Sequence, residues 1–306
     1  MDEVSGFNQQ FLLSVMIIVL GFIIKRLGWL GEEEGDSISR LIFNVTLPCL
    51  IIYSFHDLTI DASLFLLVLS GMLYGFILMG FGYLFFGRKK GKTKGMLLMM
   101  MPGLNIGLFA YPLVEGLFGS EGIRYFGMLD VGNALITFGM CYIIGSFYSG
   151  KNQLFDARSI FKKLTRSVPL MTYMIVFLLA VMKINFPSVV IDAAEVISRA
   201  NMPLSLLVLG MFIHIQMAHS ERRELSQFLM ARFGVGLVVG LLCYFLLPVS
   251  QMVKLTLLIG SILPLPLSHL PYAVEFDYSR RFVGTTSSLS LVTSFVLIWL
   301  VATLVM

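Results

Sequence analysis

Apolar residues are grouped in long runs along the chain, with short polar segments between them. The pattern contains ten such runs, at about residues 7–28, 37–55, 63–87, 94–117, 124–148, 167–185, 188–214, 226–248, 252–276 and 282–305. An α-helix needs about 20 apolar residues to cross a bilayer. The pattern therefore predicts an all-α polytopic membrane protein with ten transmembrane helices, numbered here as spans 1 to 10.

The composition agrees with this class. Of the 306 residues, 57% are hydrophobic and 13% are charged, whereas roughly 25% of the residues of a soluble domain are charged. The longest polar segment, residues 149–166, has room for only a short amphipathic helix, so any functional site is expected inside the helix bundle. Asp2 and Glu3 precede the first run, where a cleaved signal would carry basic residues, and we expect span 1 to be retained.

Basic residues are distributed unevenly between the two sides of the predicted membrane. If the ten runs alternate, 18 of the 22 Lys and Arg residues, Arg232 among them, lie on one side. Only Arg124, Lys183, Arg199 and Lys254 lie on the other. The positive-inside rule then predicts a protein of an inner (cytoplasmic) membrane, with both termini outside and residues 149–166 as a short cytoplasmic linker. The basic segment GRKKGKTKG is then a membrane anchor, and no nucleic-acid partner is expected.

Two of the runs contain residues that interrupt a helix. Those in span 4 are Pro102, Gly103, Asn105, Gly107 and Pro112. Those in span 9 are Pro264, Pro266 and Pro271, beside Ser268 and His269. Proline removes a backbone donor, and unpaired backbone groups at membrane depth are tolerated only where they face protein or a water-filled cavity. We therefore expect both breaks to line an internal site.

The positions of the breaks predict an internal repeat. Spans 4 and 9 are equivalent if the chain consists of two five-span halves, residues 1–148 and 167–306, and an odd number of spans inverts one half relative to the other. Span 2 contains NVTLPCLIIYSF and span 7 contains RANMPLSLLVLGMFI, each with an Asn shortly before a Pro. Matched interrupted spans indicate a transporter with a binding site near the membrane midplane.

Several of these motifs resemble the auxin efflux carrier family of permeases, in the short form of its bacterial members. They are NVTLPCLIIYSF, the Asn-x-Gly of NIGLFAYPLVEGLFGSEGIRY, DVGN at residues 130–133, MPLSLLVLGMF and the Pro-rich span 9. The resemblance implies two inverted five-helix repeats in which the broken helices 4 and 9 cross. Spans 1, 2, 6 and 7 would form a scaffold, and spans 3–5 and 8–10 a mobile, elevator-like transport domain. It also implies organic acid anions as substrates, either auxin or dicarboxylates such as malate and malonate.

The breaks supply the candidate substrate-binding residues. Pro112 and Pro271 can each begin a second half-helix, whose N–H groups and positive dipole end attract a carboxylate. Asn105 can donate to the carboxylate or repair the helix. His269 is either a proton or substrate contact or a bonded structural group. The full candidate set is Pro102, Gly103, Asn105, Gly107, Pro112, Pro266, Ser268, His269 and Pro271.

A second set of residues concerns coupling. Asp130 and Asn133 lie one turn apart on the same face of span 5, and an intramembrane carboxylate is costly enough to need a purpose. Asp130 is therefore a candidate for coupling to H⁺ or Na⁺, with His269 as a further candidate. The alternative is that Asp130 pairs with the neighbouring broken helix or lies at the interface. Glu115 and Glu275 are expected to have interfacial or structural roles.

Other classes of protein were weighed against the carrier. The chain has neither H-E-x-x-H nor G-x-S-x-G, which argues against an enzyme. Cys49, Cys141 and Cys243 lie in apolar runs without C-x-x-C spacing, so neither a metal site nor a cofactor is expected.

A sodium-coupled organic anion symporter of the bile-acid type, an anion channel and a membrane sensor stay as alternatives. The expected partners are the small anion and the bilayer. A homodimer, the substrate and the direction of transport are left open.

Overall fold

The computed structural model describes residues 2–57, 62–150, 157–214 and 219–305, and within these ranges every regular element is a helix. The helices of the first half are α1 (Asp2–Arg26), α2 (Glu32–Leu41), α3 (Leu47–Phe55), α4 (Ala62–Phe86), α5 (Gly91–Met100), α6 (Tyr111–Ala134) and α7 (Cys141–Tyr148). Short π-helical stretches extend three of them, at Ile42–Thr46, Ile106–Ala110 and Leu135–Met140. The all-α prediction is confirmed.

The second half begins with a short amphipathic helix from the linker. Its helices are α8 (Ala157–Arg166), α9 (Val168–Val181), α10 (Ser188–Ser198), α11 (Asn201–Met211), α12 (Arg222–Leu246), α13 (Gln251–Ser261), α14 (His269–Glu275) and α15 (Arg280–Val305), with a 3₁₀ turn at His219–Glu221. Residues 151–156 of the predicted linker lie outside the described residues.

Six helical segments are long and apolar enough to cross a membrane by length and composition alone, among the residues described. They are Asn8–Arg26, Glu32–Phe55, Leu64–Phe86, Ile106–Tyr148, Arg222–Leu246 and Arg280–Leu304. Breaks or bends divide predicted spans 4, 7 and 9 into shorter helices, and predicted span 6 is the single shorter helix Val168–Val181. An integral membrane protein is therefore supported, and the count of ten spans stays a prediction.

One segment, Ile106–Tyr148, is too long to be a single crossing. Its 43 residues would extend about 64 Å at 1.5 Å per residue, about twice the hydrocarbon thickness of a bilayer. Gly119 has φ 59° and ψ −147°, which interrupts the helical geometry of α6 at this point. The positive φ is one that glycine adopts without steric cost. The segment therefore consists of two helices joined at Gly119.

Most helix contacts fall into two groups, and α6 takes part in both because it also lies against α1, α3 and α11. In the first, α1 lies against α11, and α3 lies against α9 and α10. In the second, α4 packs on α6, α5 on α7, and α12 on α13 and α4. Close approach in the second group depends on Gly132, where a Cβ would lie 2.0 Å from the carbonyl oxygen of Val68. Small residues at such contacts bring membrane helices close together.

Candidate functional site

The two interrupted segments meet inside the bundle. Helix α5 ends at Met100, and the chain becomes helical again at Ile106; helix α13 ends at Ser261, and α14 begins at His269. The backbone N–H of Asn105, in the first break, donates to the carbonyl oxygen of Pro264, in the second, at 3.0 Å. Residues 101–105 and 262–268 are therefore in direct contact, and we call this pair of segments the crossing.

The first break is repaired by the helix that follows it. Asn133 of α6 accepts from the N–H of Leu104 at 2.8 Å and donates to the carbonyl oxygen of Leu104 at 3.0 Å. Thr137 donates to Asn133 Oδ1 at 3.2 Å, and Cys141 Sγ donates to the carbonyl oxygen of Pro102 at 3.6 Å. Asn133 thus replaces both hydrogen bonds that Leu104 would make in a regular helix, which a buried backbone requires.

The second break is repaired in the same way by α15. The N–H of Leu265 donates to Ser290 Oγ at 3.1 Å, and Ser294 Oγ donates to the carbonyl oxygen of Ile262 at 2.6 Å. Ser290 and Ser294 lie one turn apart, as Asn133 and Thr137 do. In each half of the chain, the span that follows the broken span therefore supplies the polar groups that the break lacks.

The C-terminal ends of the first half-helices are also capped. Arg232 Nη1 donates to the carbonyl oxygen of Met101, and Nη2 donates to those of Gly103 at 2.6 Å and Leu263 at 3.4 Å. Tyr74 of α4 donates to the carbonyl oxygen of Ser261 at 2.5 Å. Helix C-termini carry negative partial charge, so both negative ends at the crossing are already occupied by donors of the protein.

The position of Arg232 corrects the charge count made from the sequence. This residue was counted with the cytoplasmic basic residues, but it lies inside α12 with only 2% of its surface exposed. Without Arg232, 17 basic residues are assigned to the cytoplasmic side and 4 to the other side. The charge asymmetry between the two sides of the membrane therefore persists. An arginine in the middle of an apolar helix is a signal of a functional or structural site, and the sequence interpretation missed it.

A cavity of about 670 Å³ lies against the crossing. Its walls come from α2, α3, α6, α9, α14 and both breaks, and they are largely apolar, with Phe43, Phe138, Leu170 and Phe212 among them. Seven of the predicted residues line it: Asn105, Gly107, Asp130, Asn133, Pro266, Ser268 and Pro271. A pocket of this size, apolar with a few polar groups, is typical of a small-molecule site.

Four predicted binding residues lie elsewhere. Pro102 and Gly103 form part of the first break behind the cavity wall. Pro112 lies inside the second half-helix, which begins at Ile106 with Asn105 as its N-cap, so the expectation that Pro112 starts this half-helix is corrected. His269 is fully buried, and neither of its ring nitrogens has a hydrogen-bond partner within the described residues.

Asn105 and Ser268 present polar atoms at the two breaks. Asn105 Oδ1 accepts from the N–H of Leu108 at 3.4 Å, which makes it a helix N-cap. In the part of the chain that the structure describes, its Nδ2 has no acceptor, and Ser268 Oγ has no partner either. Both residues line the cavity. These unpaired donors therefore point to a ligand that accepts hydrogen bonds, because buried polar groups are normally bonded.

Asp130 is linked to a helix outside its own group. Its carboxylate accepts from Tyr111 at 3.0 Å and from Asn133 at 3.2 Å. The Tyr111 hydroxyl also hydrogen-bonds the hydroxyl of Tyr173 on α9. Tyr173 in turn stacks edge-on against Phe55, with ring centroids 5.5 Å apart. The sequence interpretation did not include these two tyrosines, since nothing in the local pattern distinguishes them from other apolar-run tyrosines.

The cavity extends from the crossing to the ends of helices on one side. Asp36, Arg166, Phe212 and Glu275 line this outer part, and Tyr142 donates to Glu275 at 2.5 Å. These positions are those of the linker side of the membrane in the ten-span prediction. Glu115 is not among the lining residues. Within the described ranges, no group of three or more His, Cys, Asp or Glu side chains could hold a metal ion.

Comparisons with known proteins agree with a membrane carrier. Residues 10–153 match the model of a family described as membrane transport protein. An uncharacterized transporter of Methanothermobacter thermautotrophicus is 32% identical over 160 residues, which cover 50% of this chain and 53% of that protein. The uncharacterized transporter MJ1031 of Methanocaldococcus jannaschii is 25% identical over 214 residues, 65% of this chain and 67% of that protein. The match to the first of these relatives spans only about half of its length. The match agrees with the resemblance to the auxin efflux carrier family seen in the sequence, and it covers residues 10–153, a little under half of the chain.

Proposed function

We propose that the protein is a secondary transporter of organic acid anions that binds its substrate at the crossing. The observation that carries this proposal is that the C-terminal and N-terminal ends of the half-helices differ in whether the protein itself supplies their hydrogen-bond partners. The C-terminal ends are occupied by Arg232 and Tyr74, whereas the N-terminal end at Asn105 faces the cavity with an unpaired amide. The free end is the one with positive partial charge, and such an end attracts an anion.

The chemistry of the cavity favours a carboxylate with an apolar body. Asn105 and Ser268 supply polar donors at the breaks, and aromatic and aliphatic side chains form much of the walls. An auxin-like monocarboxylate would place its charge at the breaks and its body against these walls. A dicarboxylate such as malate or malonate is the second candidate, because Arg166 lines the outer part of the cavity and offers a cationic partner in addition to the neutral donors at the breaks.

We further propose the ten-span inverted repeat. Three matched features support it. The span that follows each broken span repairs its break, through Asn133 in one half and Ser290 in the other. Spans 3 and 8 supply the donors at the half-helix C-termini, Tyr74 and Arg232. The paired motifs of spans 2 and 7 are also in contact, since Thr46 donates to Asn201 at 3.0 Å.

The helix packing supports a division into two moving parts. The scaffold would consist of α1–α3 and α9–α11, and the elevator-like transport domain of the remaining spans, with α6 as the helix of that domain that lies against the scaffold. The cavity opens on the linker side, so this conformation would be open to the cytoplasm if the charge asymmetry sets the topology. The opposite opening requires the Tyr111–Tyr173 contact to separate, because it joins α6 to α9.

Coupling to H⁺, to Na⁺ or to voltage alone stays open in this proposal. An anion that leaves a cell with a negative interior moves down roughly 2.3 kcal/mol per charge per 100 mV, so export needs no coupling ion. Accumulation inside the cell does need one, and Asp130 in the cavity wall is the proposed proton carrier. Saturable flux in proteoliposomes would separate this carrier from a channel or a sensor, and sodium dependence would favour the bile-acid type of symporter.

A ligand screen tests the substrate class directly. Purified protein is heated with mono- and dicarboxylates, and its unfolding temperature is recorded. A ligand at 100 times its dissociation constant adds about 2.7 kcal/mol of stability. We expect carboxylates to raise the unfolding temperature and the matching amides or alcohols to leave it unchanged. A protein that no carboxylate stabilises, and that moves none in liposomes, contradicts the proposal.

Asn105→Asp is expected to abolish or strongly weaken anion binding without loss of stability. Aspartate is as good an N-cap as asparagine, so the bond from the N–H of Leu108 is kept. The substitution removes the Nδ2 donor and adds a negative charge beside the carboxylate. Asn105→Ala removes the donor without the added charge, and we expect it to weaken binding by roughly 1–3 kcal/mol.

Binding is measured by titration of the purified variants, with unfolding temperature as the control for folding. If Asn105→Asp binds the anion as the parent does, Asn105 is only a cap. Loss of stability in both variants together would also indicate a purely structural role.

The topology is tested with a cysteine placed at residue 152, which lies outside the described residues but within the predicted linker. The native cysteines are replaced first, Cys141 by Ser because it donates to Pro102. We expect an impermeant maleimide to label this cysteine only after cells are opened, because 17 basic residues lie on the linker side. Labelling in intact cells would refute the predicted orientation.

A further inference from the structure

Arg232 is the buried cation of the crossing, and nothing in the proposed anion site explains it. It is the eleventh residue of α12, about 15 Å from the start of the helix. Within the described residues it pairs with no carboxylate; its partners are the carbonyl oxygens of Met101, Gly103 and Leu263, which belong to both breaks. A single side chain therefore joins the two interrupted segments through their negative groups.

Carbonyl oxygens carry negative partial charge, so a cluster of them can bind a cation. Unwound backbone carbonyls and half-helix C-terminal ends are the groups that bind coupling cations in membrane carriers. Here the cation is a guanidinium that is always charged and that carries several donors in a fixed plane. A metal ion entering the same place would lose those oxygens to Arg232 and be repelled by its charge.

We propose that Arg232 is a tethered cation that holds the two breaks together, so that the crossing keeps its geometry without a bound metal ion. Arg232 is a positioning residue, since it lies outside the cavity lining and acts through the backbone of the breaks. The inference does not depend on which anion is carried. It predicts that the crossing of the parent protein binds no Na⁺ and that removal of the guanidinium leaves a vacant cation site there.

The test is chemical rescue of Arg232→Ala, read as the unfolding temperature of protein purified in detergent. We expect the variant to unfold several degrees below the parent and to recover about half or more of this loss in millimolar guanidinium or methylguanidinium chloride, by the usual linkage of binding to stability. Choline chloride at the same concentration should restore nothing. An Asp130→Asn protein, which retains Arg232 but lacks the other candidate ion site, should unfold at the same temperature in sodium and choline chloride.

Arg124→Ala is the matched control. Arg124 also donates to a backbone carbonyl, that of Ser54, and it pairs with Asp57, but its side chain is partly exposed. Because water can replace it there, we expect no specific response of Arg124→Ala to guanidinium. An equal response of both variants would show that guanidinium acts on the protein in general, and it would overturn the inference.

Two further results would also overturn it: an Asp130→Asn protein that Na⁺ specifically stabilises, since its other candidate ion site is removed, or an Arg232→Ala protein that folds and ignores guanidinium. If Arg232→Ala does not fold, Arg232→Lys provides the test, because lysine keeps the charge and loses the planar fork. We expect Arg232→Lys to fold without any requirement for Na⁺. A requirement for Na⁺ would contradict the proposal that a side-chain cation is enough to hold the two breaks together. Failure of the anion proposal is distinguishable, since it is read from the carboxylate screen and not from guanidinium rescue.

Discussion

Replacing Gly103 with alanine is expected to lower the unfolding temperature of the purified protein by roughly 5–15 °C. Gly103 has φ +89°, and a Cβ here would lie 3.0 Å from Thr137 Oγ1 and 3.1 Å from Pro266 Cγ. A left-handed backbone costs a residue with a Cβ about 1–2 kcal/mol, and overpacking adds about 1–3 kcal/mol. The carbonyl oxygen of Gly103 is also an acceptor for Arg232, so a shift of this residue disturbs the whole crossing.

The matched control for this prediction is Gly139→Ala. Gly139 is also buried, but it lies in the π-helical stretch Leu135–Met140, and a Cβ there would meet nothing within 4 Å. Alanine at a helical position of this kind is expected to be neutral or to stabilise by up to about 1 kcal/mol. Equal unfolding temperatures for the two variants would mean that the crossing adapts to a side chain at Gly103.

Asp130→Asn is expected to abolish accumulation of substrate driven by a pH gradient while leaving exchange partly intact. The asparagine has the shape of the aspartate and can still accept from Tyr111, so this hydrogen bond within α6 is kept. It cannot exchange a proton between the two open states. Exchange of substrate for substrate needs no net proton movement, and it therefore separates binding from coupling. Both rates are measured in proteoliposomes at zero voltage.

His269→Gln is the parallel variant for the second break. His269 does not line the cavity, so we expect this variant to keep gradient-driven accumulation. If Asp130→Asn still concentrates substrate as the parent does, Asp130 is not the proton carrier. A parent that ignores pH and sodium gradients but follows voltage is a uniporter, and Asp130 is then a structural partner of Tyr111 and Asn133.

The helical class and the two breaks could be predicted because their signals are local. A run of apolar residues marks a membrane helix, and proline with glycine marks its interruption, whatever lies around it. The pairing of Asp130 with Asn133 was likewise visible from their spacing within one helix, and the structure joins them at 3.2 Å. The cavity then brings together Asn105 and Ser268, which are far apart in the chain.

What the sequence did not show are the contacts between distant segments. Arg232 was counted with the cytoplasmic residues because charge counting treats each basic residue alone, without its partners at Met101 and Gly103. The serines of α15 resembled ordinary small residues of an apolar helix, since only the three-dimensional structure places Ser290 beside the unpaired N–H of Leu265. Such long-range pairings leave no periodicity in the sequence.

The start of the second half-helix shows a different limit. Proline at position 112 suggested a helix beginning there, because proline is favoured in the first turn. The chain instead becomes helical at Ile106, where Asn105 provides an N-cap. Both residues are good start signals, and the tertiary contacts of Asn105 with Pro264 select the earlier one.

The buried arginine also bears on how the chain enters the membrane during synthesis. An arginine at the centre of a helix costs about 2.5–3.5 kcal/mol when the helix inserts alone. Two of the carbonyl groups that receive Arg232 belong to Met101 and Gly103, which are synthesised well before α12, and the third belongs to Leu263, which follows it. The first half of the protein can therefore act as an acceptor for α12 as it leaves the insertion machinery, and the crossing forms in the order in which the chain is made.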